Sequence, residues 1–175
     1  MLRLQPETPA DIDAIEAIHR AAFPDPHEAE LARALRRADR AVVSIVARLD
    51  GAPVGHVMLS PVELAGVCAA DGGLALSPLA VAPAFQGRGI GRWLVVESMA
   101  AARRLDARFV VLVGEPGYYG RLGFEPARTY GLANQYGIID TFMVRPLRSG
   151  ALPPEGGLIR YAPEFDELGA RGDFQ

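Results

Sequence analysis

Residues 74–91 of the chain read LALSPLAVAPAFQGRGIG, and this stretch decides the fold. It begins as an apolar run typical of a β-strand, which Pro78 interrupts. Glycines then cluster at Gly87, Gly89 and Gly91. The apolar residues after them recur with helical spacing, which predicts one long helix over 90–105. The centre of the chain is therefore predicted to be a strand, a glycine turn and a helix.

The flanking segments predict an α+β fold around this centre. Thr8-Pro9-Ala10-Asp11 carries the signals of a helix start, and helical spacing of apolar residues continues up to Pro24. Phe109–Val113 is continuously apolar, as expected of a strand buried on both faces. The other predicted elements are helices over 28–37 and 118–122 and strands over 41–49, 54–59, 128–132, 139–144 and 158–161.

Composition restricts the class of protein. A chain of 175 residues that is 50% hydrophobic is expected to form a single domain over 1–175, whose segment 148–175 is rich in proline and glycine but holds the last strand. All 18 basic residues are arginine against 21 acidic ones, which argues against a polybasic nucleic-acid binder. One cysteine, Cys68, and three histidines without paired spacing predict neither disulfides nor a metal site. Without an apolar leader or membrane span, the protein is expected to be soluble and cytoplasmic.

The glycine turn is suited to binding an anion. The first N–H groups of a helix lack intrahelical partners, and the helix dipole places about +0.5 charge there. Glycines let phosphate oxygens approach the backbone, and Arg88 and Arg92 add positive charge. A P-loop needs a lysine, which the chain lacks, and the dinucleotide fingerprint needs a glycine where Arg92 stands. The alternative is a turn that only tightens the packing of strand and helix.

At this point the chain resembles a known family. Residues 79–91 are similar to the acyl-CoA signature Gln/Arg-x-x-Gly-x-Gly/Ala of the GNAT superfamily of N-acetyltransferases, matched by Gln86, Gly89 and Gly91. Residues 119–124 resemble the Tyr-x-x-x-Gly-Phe segment that often follows the next strand, and the runs 77–81 and 114–119 look like a bacterial branch, the YhbS-like acetyltransferases. The resemblance implies a GNAT fold, which is a mixed, mostly antiparallel central sheet splayed in the middle with helices on both faces.

The resemblance also implies how a cosubstrate, acetyl-CoA, is held without a metal. The pyrophosphate is expected on the turn and helix tip, and the pantetheine arm beside the preceding strand, whose Leu79 amide would stabilise the oxyanion. Tyr119 occupies the position of the tyrosine that protonates the departing thiolate; a packing role, or an exchange of roles with Tyr118, is the alternative. The expected cofactor contacts are Leu79, Ala80, Val81, Gln86, Gly87, Arg88, Gly89, Ile90, Gly91 and Arg92.

The general base is not identified by the resemblance. Many family members carry a glutamate on the strand before the turn, but residues 74–78 contain no acidic side chain. The candidates that stay open are Glu63, Glu115, Asp71, His56 and His27.

The functional hypothesis is an N-acetyltransferase in which a primary amine attacks acetyl-CoA directly in a ternary complex. The alternative is a CoA-binding sensor or assembly module with little turnover. The acceptor is a small molecule or a protein amine, with no nucleic acid or membrane as partner, and a homodimer is possible. Trp93 and Phe85 are expected to anchor packing rather than stack on adenine, and His19 to be a semi-buried helix residue.

Overall fold

The computed structural model describes residues 1–65 and 72–166. The chain forms two compact units: the first is Met1–Ser60 with Leu76–Ala101, and the second is Pro61–Ala75 with the residues from Ala102 onward. Two strands contribute residues to both units. The single domain over 1–175 stays a prediction, and Cys68 and Asp71 lie outside the described residues.

The described residues contain four α-helices and nine strands. The helices are α1 (Ile12–Ala22), α2 (His27–Arg37), α3 (Ile90–Arg104) and α4 (Pro116–Gly120). The strands are β1 (Leu2–Pro6), β2 (Val43–Leu49), β3 (Ala52–Ala65), β4 (Gly73–Val81), β5 (Phe109–Val113), β6 (Glu125–Pro126), β7 (Leu132–Asn134), β8 (Phe142–Pro146) and β9 (Gly157–Arg160).

Strands in the first unit are neighbours in the order β1-β2-β3-β4. β1 and β2 are antiparallel, with Leu2 opposite Leu49, and β2 and β3 form an antiparallel hairpin with Val43 opposite Leu59. Just beyond β4, the Ala82 N–H donates to the carbonyl of Val54, 2.9 Å away. This bond holds the end of β4 to the start of β3, immediately before the glycine turn.

Strands in the second unit follow the order β4-β5-β8-β6. The first three residues of β4, Gly73–Ala75, pair in parallel with Phe109–Val111 of β5. β8 is antiparallel to both β5 and β6, β9 is antiparallel to the end of β3, and β7 is parallel to β9. The α+β class and the mixed, mostly antiparallel sheet are therefore confirmed.

Gly73 shows why β4 can begin where it does. A Cβ on Gly73 would lie 2.3 Å from Cζ of Phe109, so the aromatic ring occupies the space that any larger residue needs. Phe109 is buried, and its ring covers the first residue of β4 in the parallel pair. The packing of one glycine and one phenylalanine therefore fixes how β4 enters the sheet.

Two predicted segments are corrected. The strand expected over 128–132 is wrong, because Ala127–Tyr130 form a 3-10 turn that Gly131 closes at φ +67°, a left-handed conformation that suits glycine. The strand expected from residue 139 begins only at Phe142, and Ile139 is 62% exposed. In both cases the observed strand begins later than expected, at Leu132 for β7 and at Phe142 for β8.

Candidate active site

Close packing within the first unit places the start of α3 beside β3 and β4. A Cβ on Gly55 of β3 would lie 3.0 Å from Cδ1 of Leu94, 3.3 Å from Cγ2 of Ile90 and 3.2 Å from the Ala80 carbonyl oxygen. Ile90 and Leu94 are both buried and belong to the first turns of the helix. The missing side chain at Gly55 thus lets the amino end of α3 lie directly against the strands.

The glycine turn before α3 is open rather than packed. Gly87 and Gly89 have φ of +72° and +81°, the left-handed region that L-residues rarely adopt. No heavy atom lies within 4 Å of the position that a Cβ would take at either residue. These two glycines are therefore required by the backbone path, and the alternative that they serve close packing is not supported.

The tip of α3 presents backbone donors beside this open space. The Trp93 N–H donates to the Gly89 carbonyl at 3.1 Å, and this is the α-helical bond that spans the start of the helix. Helix geometry leaves the N–H groups of residues 90–92 without intrahelical acceptors. Arg88 and Arg92 lie beside them, and the Arg88 guanidinium carbon is 5.4 Å from the ring centroid of Phe85. The arrangement can hold a diphosphate.

Gln86 links the turn to the strand before it. Its side-chain amide donates to the carbonyl of Val81, 2.9 Å away. The Gln86 side chain, which was expected to contact the ligand, therefore connects the turn to the end of β4 in this structure. Such a bond stiffens the backbone that positions the helix tip.

The residues expected to contact the pantetheine arm lie at the end of β4. Ala80 is buried, whereas Leu79 and Val81 are half-buried, as expected of side chains that alternate between two faces of a strand. The parallel pairing of β4 with β5 involves Gly73–Ala75, so residues 79–81 follow the paired part of the strand. This position suits a strand edge that binds an extended ligand.

In the second unit, Glu115 is the amino-terminal cap of α4. Its two carboxylate oxygens accept hydrogen bonds from the N–H groups of Gly117 at 2.8 Å and Tyr118 at 2.5 Å. This pairing satisfies backbone donors that the short helix cannot satisfy itself. Glu115, one of the candidate general bases, therefore has a structural role as a helix cap.

Tyr119 follows in the same helix, and its ring is held tightly. A Cβ on Gly114 would lie 2.3 Å from Cε2 of Tyr119, so the ring rests directly on the Gly114 backbone. The ring also meets Tyr118 and Phe124 edge-on, at centroid distances of 5.0 and 5.9 Å. Burial raises the pKa of Tyr119 to about 12, with the neighbouring Tyr118 adding to the shift. The hydroxyl consequently keeps its proton at neutral pH.

A chain of hydrogen-bonded polar groups in the first unit, of which the two histidines are buried, was missed by the sequence analysis. His19 Nε2 lies 2.8 Å from His56 Nδ1, and His56 Nε2 lies 2.8 Å from Ser44 Oγ. Ser44 also contacts Glu7, which Arg36 binds through two nitrogens at 2.5 and 3.0 Å. No spacing rule links these positions; the β2–β3 register, which brings Ser44 close to His56, is the signal that could have found part of the chain.

The direction of the protons in this chain follows from its acidic end. Glu7 is ionised: burial acts to raise its pKa, but hydrogen bonds from His56, Arg36 and Ser44 lower it to about 2. Ser44 therefore donates to Glu7 and accepts from His56 Nε2–H, which leaves His56 Nδ1 to accept from His19 Nε2–H. Burial lowers the pKa of His19 to about 3 and also lowers the pKa of His56, so both rings are neutral.

The remaining base candidates lie on different elements. Glu63 is an exposed residue of β3, and His27 is the first residue of α2. Within residues 1–65 and 72–166, no cluster of three or more His, Cys, Asp or Glu side chains could hold a metal ion. Over the same residues, no helix combines the length and apolar character that crossing a membrane requires.

Comparison with known proteins identifies relatives of this chain. Residues 12–124 match the profile of the acetyltransferase (GNAT) family. Over 164 residues the chain is 34% identical to the uncharacterized N-acetyltransferase YhbS of Escherichia coli, covering 93% of this chain and 97% of that protein. The chain belongs to the GNAT family. The predicted resemblance is thereby confirmed.

Solved structures of GNAT proteins confirm the fold. YhbS from Escherichia coli in complex with CoA superimposes with a TM-score of 0.88 at 30% identity, over 94% of this chain and 92% of that one. A GNAT acetyltransferase from Brucella melitensis in complex with acetyl-CoA gives 0.80 at 33% identity, over 95% and 99%.

Proposed function

We propose that this GNAT protein transfers an acetyl group from acetyl-CoA to the primary amine of an acceptor, by direct attack in a ternary complex. The observation that carries the proposal is the tip of α3, where N–H groups without intrahelical acceptors border an open turn with two left-handed glycines. Relatives of similar fold that were crystallised with CoA or acetyl-CoA support it.

The donor fits the first unit in two parts. The diphosphate of CoA is held by the backbone of residues 87–92, with Arg88 and Arg92 as countercharges. The pantetheine arm, which carries amide groups, lies along the backbone of Leu79, Ala80 and Val81 like an additional strand. Binding both parts directs the thioester toward β4.

The chemical step needs a neutral amine. An ordinary alkyl ammonium with a pKa of about 10.4 costs roughly 4–5 kcal/mol to deprotonate at neutral pH. The described candidates for accepting this proton, directly or through water, are Glu63, His27, Glu115 and His56. Of these, Glu115 caps α4, and His56 is hydrogen-bonded to His19 and Ser44.

The neutral nitrogen then attacks the thioester carbonyl, and its carbon becomes tetrahedral. The Leu79 N–H donates a hydrogen bond to the oxyanion. Collapse of the intermediate breaks the C–S bond, expels the CoA thiolate and forms the amide as the nitrogen gives up its second proton, which is transferred to the thiolate and leaves CoA as the free thiol. We assign to Tyr119 a hydrogen bond to this thiolate. With a pKa of about 12 the phenol is a weaker acid than a thiol near 8.5, so it stabilises the thiolate better than it protonates it.

Release of free thiol tests the proposal. The protein is incubated with acetyl-CoA and a panel of polyamines, amino sugars, amino acid amides and peptides, and CoA release is followed with a thiol reagent. We expect release that depends on one class of amine and yields the N-acetyl product by mass spectrometry. Tight binding of acetyl-CoA in calorimetry without release for any amine would contradict it and favour a CoA-binding sensor, a function consistent with the absence of an acidic residue in 74–78.

A further inference from the structure

Trp93 is the chain's one tryptophan, and it stands in the first turn of α3. The expectation that it anchors packing is wrong, because 59% of its surface is exposed. Ile90 and Leu94 supply the buried face of the helix at this level. An indole left in water forgoes the gain of burying a large apolar side chain, so packing does not account for its presence here.

The backbone of Trp93 lies one helical turn from the open turn. The Trp93 N–H bonds to the Gly89 carbonyl, which puts Trp93 one helical turn beyond that glycine. Helical side chains lean toward the amino end of their helix and cover the preceding turn. The preceding turn here is the glycine turn, where no heavy atom beyond the neighbouring residues lies within 4 Å of the Cβ position of Gly87 or Gly89. The exposed indole is therefore expected to border the position proposed for the diphosphate.

We propose that the adenine ring of CoA stacks on the indole of Trp93, an inference that rests on the proposed function. The adenosine is joined directly to the diphosphate, so a diphosphate at the tip of α3 brings the base near this indole. The other aromatic ring at the turn, Phe85, already carries the Arg88 guanidinium at 5.4 Å, whereas the indole is exposed. Stacking on an aromatic side chain uses the flat face that every purine offers.

Fluorescence of the one tryptophan gives a direct test, because the emission reports Trp93 alone. We expect saturable quenching by CoA and by adenosine 3′,5′-bisphosphate, and none by pantetheine, which lacks the nucleotide. Unchanged emission in the presence of CoA that calorimetry shows to be bound would overturn the inference.

Variants provide a second test with two acetyl donors. Trp93→Ala is expected to lower the preference for acetyl-CoA over acetyl-pantetheine, measured as the ratio of kcat/KM, by roughly 5- to 100-fold. Trp93→Phe should recover most of the ratio. Val96→Ala, a change at another exposed apolar residue of α3, is the matched control and should leave the ratio unchanged. Equal losses with both donors, or an equal loss in the Val96 variant, would show that stacking is not the cause.

The two proposals can fail separately. If calorimetry detects no binding of CoA to the unaltered protein, the proposed function itself is wrong. If CoA binds, and Trp93→Ala changes the sedimentation behaviour but not the affinity for CoA, the indole belongs to a contact between protein chains and only the stacking inference fails.

Discussion

At the scale of single residues, the turn before α3 depends on what glycine lacks. Gly87 and Gly89 combine left-handed backbone angles with empty surroundings, so they provide both a bend and room for a ligand. Gly55 and Gly73 differ from them, because the position of a Cβ at either residue lies against neighbouring atoms. The distinction separates glycines that shape a site from glycines that allow the core to close.

The substitution Gly89→Asp tests whether this glycine shapes the binding site. The new carboxylate would stand where the diphosphate is expected, so the affinity for CoA should fall at least about 100-fold through charge repulsion and loss of space. Gly51→Asp is the matched control, because Gly51 has φ +89° and no atom within 4 Å of its Cβ position. Calorimetry with CoA and thermal unfolding check both variants. Equal affinities in the two, with similar melting temperatures, would remove the turn from the binding site.

Tyr119→Phe separates the hydroxyl from the ring. Phenylalanine keeps the contacts with Gly114 and Phe124, so the melting temperature should change little. Loss of the hydrogen bond to the thiolate should lower kcat about 10- to 100-fold with a similar KM for acetyl-CoA. Tyr118→Phe is the neighbouring control, and steady-state kinetics with thiol detection gives the numbers. A matching fall in kcat and stability would instead indicate a packing role for the hydroxyl.

At the scale of elements, α1, α2, β2 and β3 are connected by one chain of hydrogen-bonded polar side chains with two buried histidines. His19 lies on α1, Arg36 on α2, Ser44 on β2 and His56 on β3, and Glu7 follows β1. Each buried polar atom in this chain is costly without its partner, so the chain favours one arrangement of these elements over others of similar packing. This arrangement requires both His19 and His56 to be neutral.

The hydrogen-bonded chain of polar side chains predicts that the protein loses stability in mild acid. The pKa of His19 falls from an ordinary 6.5 to about 3 in the folded protein, so the unfolded chain binds more protons between these values. The contribution of His19 to the free energy of unfolding is fully present above about pH 6.5 and decreases as the pH falls toward 3. Glu7, whose pKa is lowered to about 2, also contributes less as the pH falls below about 4.5. For a difference of one bound proton, the expected slope is about 1.4 kcal/mol per pH unit.

His19→Gln measures this contribution. Its amide can still donate to His56 Nδ1 but cannot take up a proton, so the free energy of unfolding should depend less on pH than in the unaltered protein. Urea unfolding at pH 7, 6 and 5 compares the two, and Arg20→Gln, on the exposed side of α1, serves as the control. Parallel stability curves for all three proteins would show that His19 is not titrated on unfolding.

At the scale of the whole molecule, local signals in the sequence predicted helices and strands better than the contacts between them. The helix start was predicted at Thr8, and the Thr8 N–H does donate to the Asp11 carboxylate at 2.9 Å. This pair caps the 3-10 turn Pro9–Asp11, which leads into α1 at Ile12. β5 was predicted with its observed bounds, because a short, continuous apolar run is typical of a strand covered on both faces. β1 was missed: five residues of mixed polarity become a strand only because β2 lies beside them.

The same division applies to the candidate site. The glycine turn and Tyr119 belong to contiguous motifs, so the sequence could identify them. The exposure of Trp93 depends on which face of α3 is covered, and helical spacing alone did not predict it. The capping role of Glu115 depends on where α4 begins, at Pro116 rather than at the expected residue 118.

The position of Glu7 has a consequence for the amino-terminal segment. This carboxylate is the charged end on which Ser44 and, through it, both neutral imidazoles are oriented. Removal of the first seven residues would therefore do more than uncover the edge of β2. It would leave the Arg36 guanidinium without its carboxylate and both imidazole rings free to change tautomer, so this segment sets the order of the protons inside the first unit.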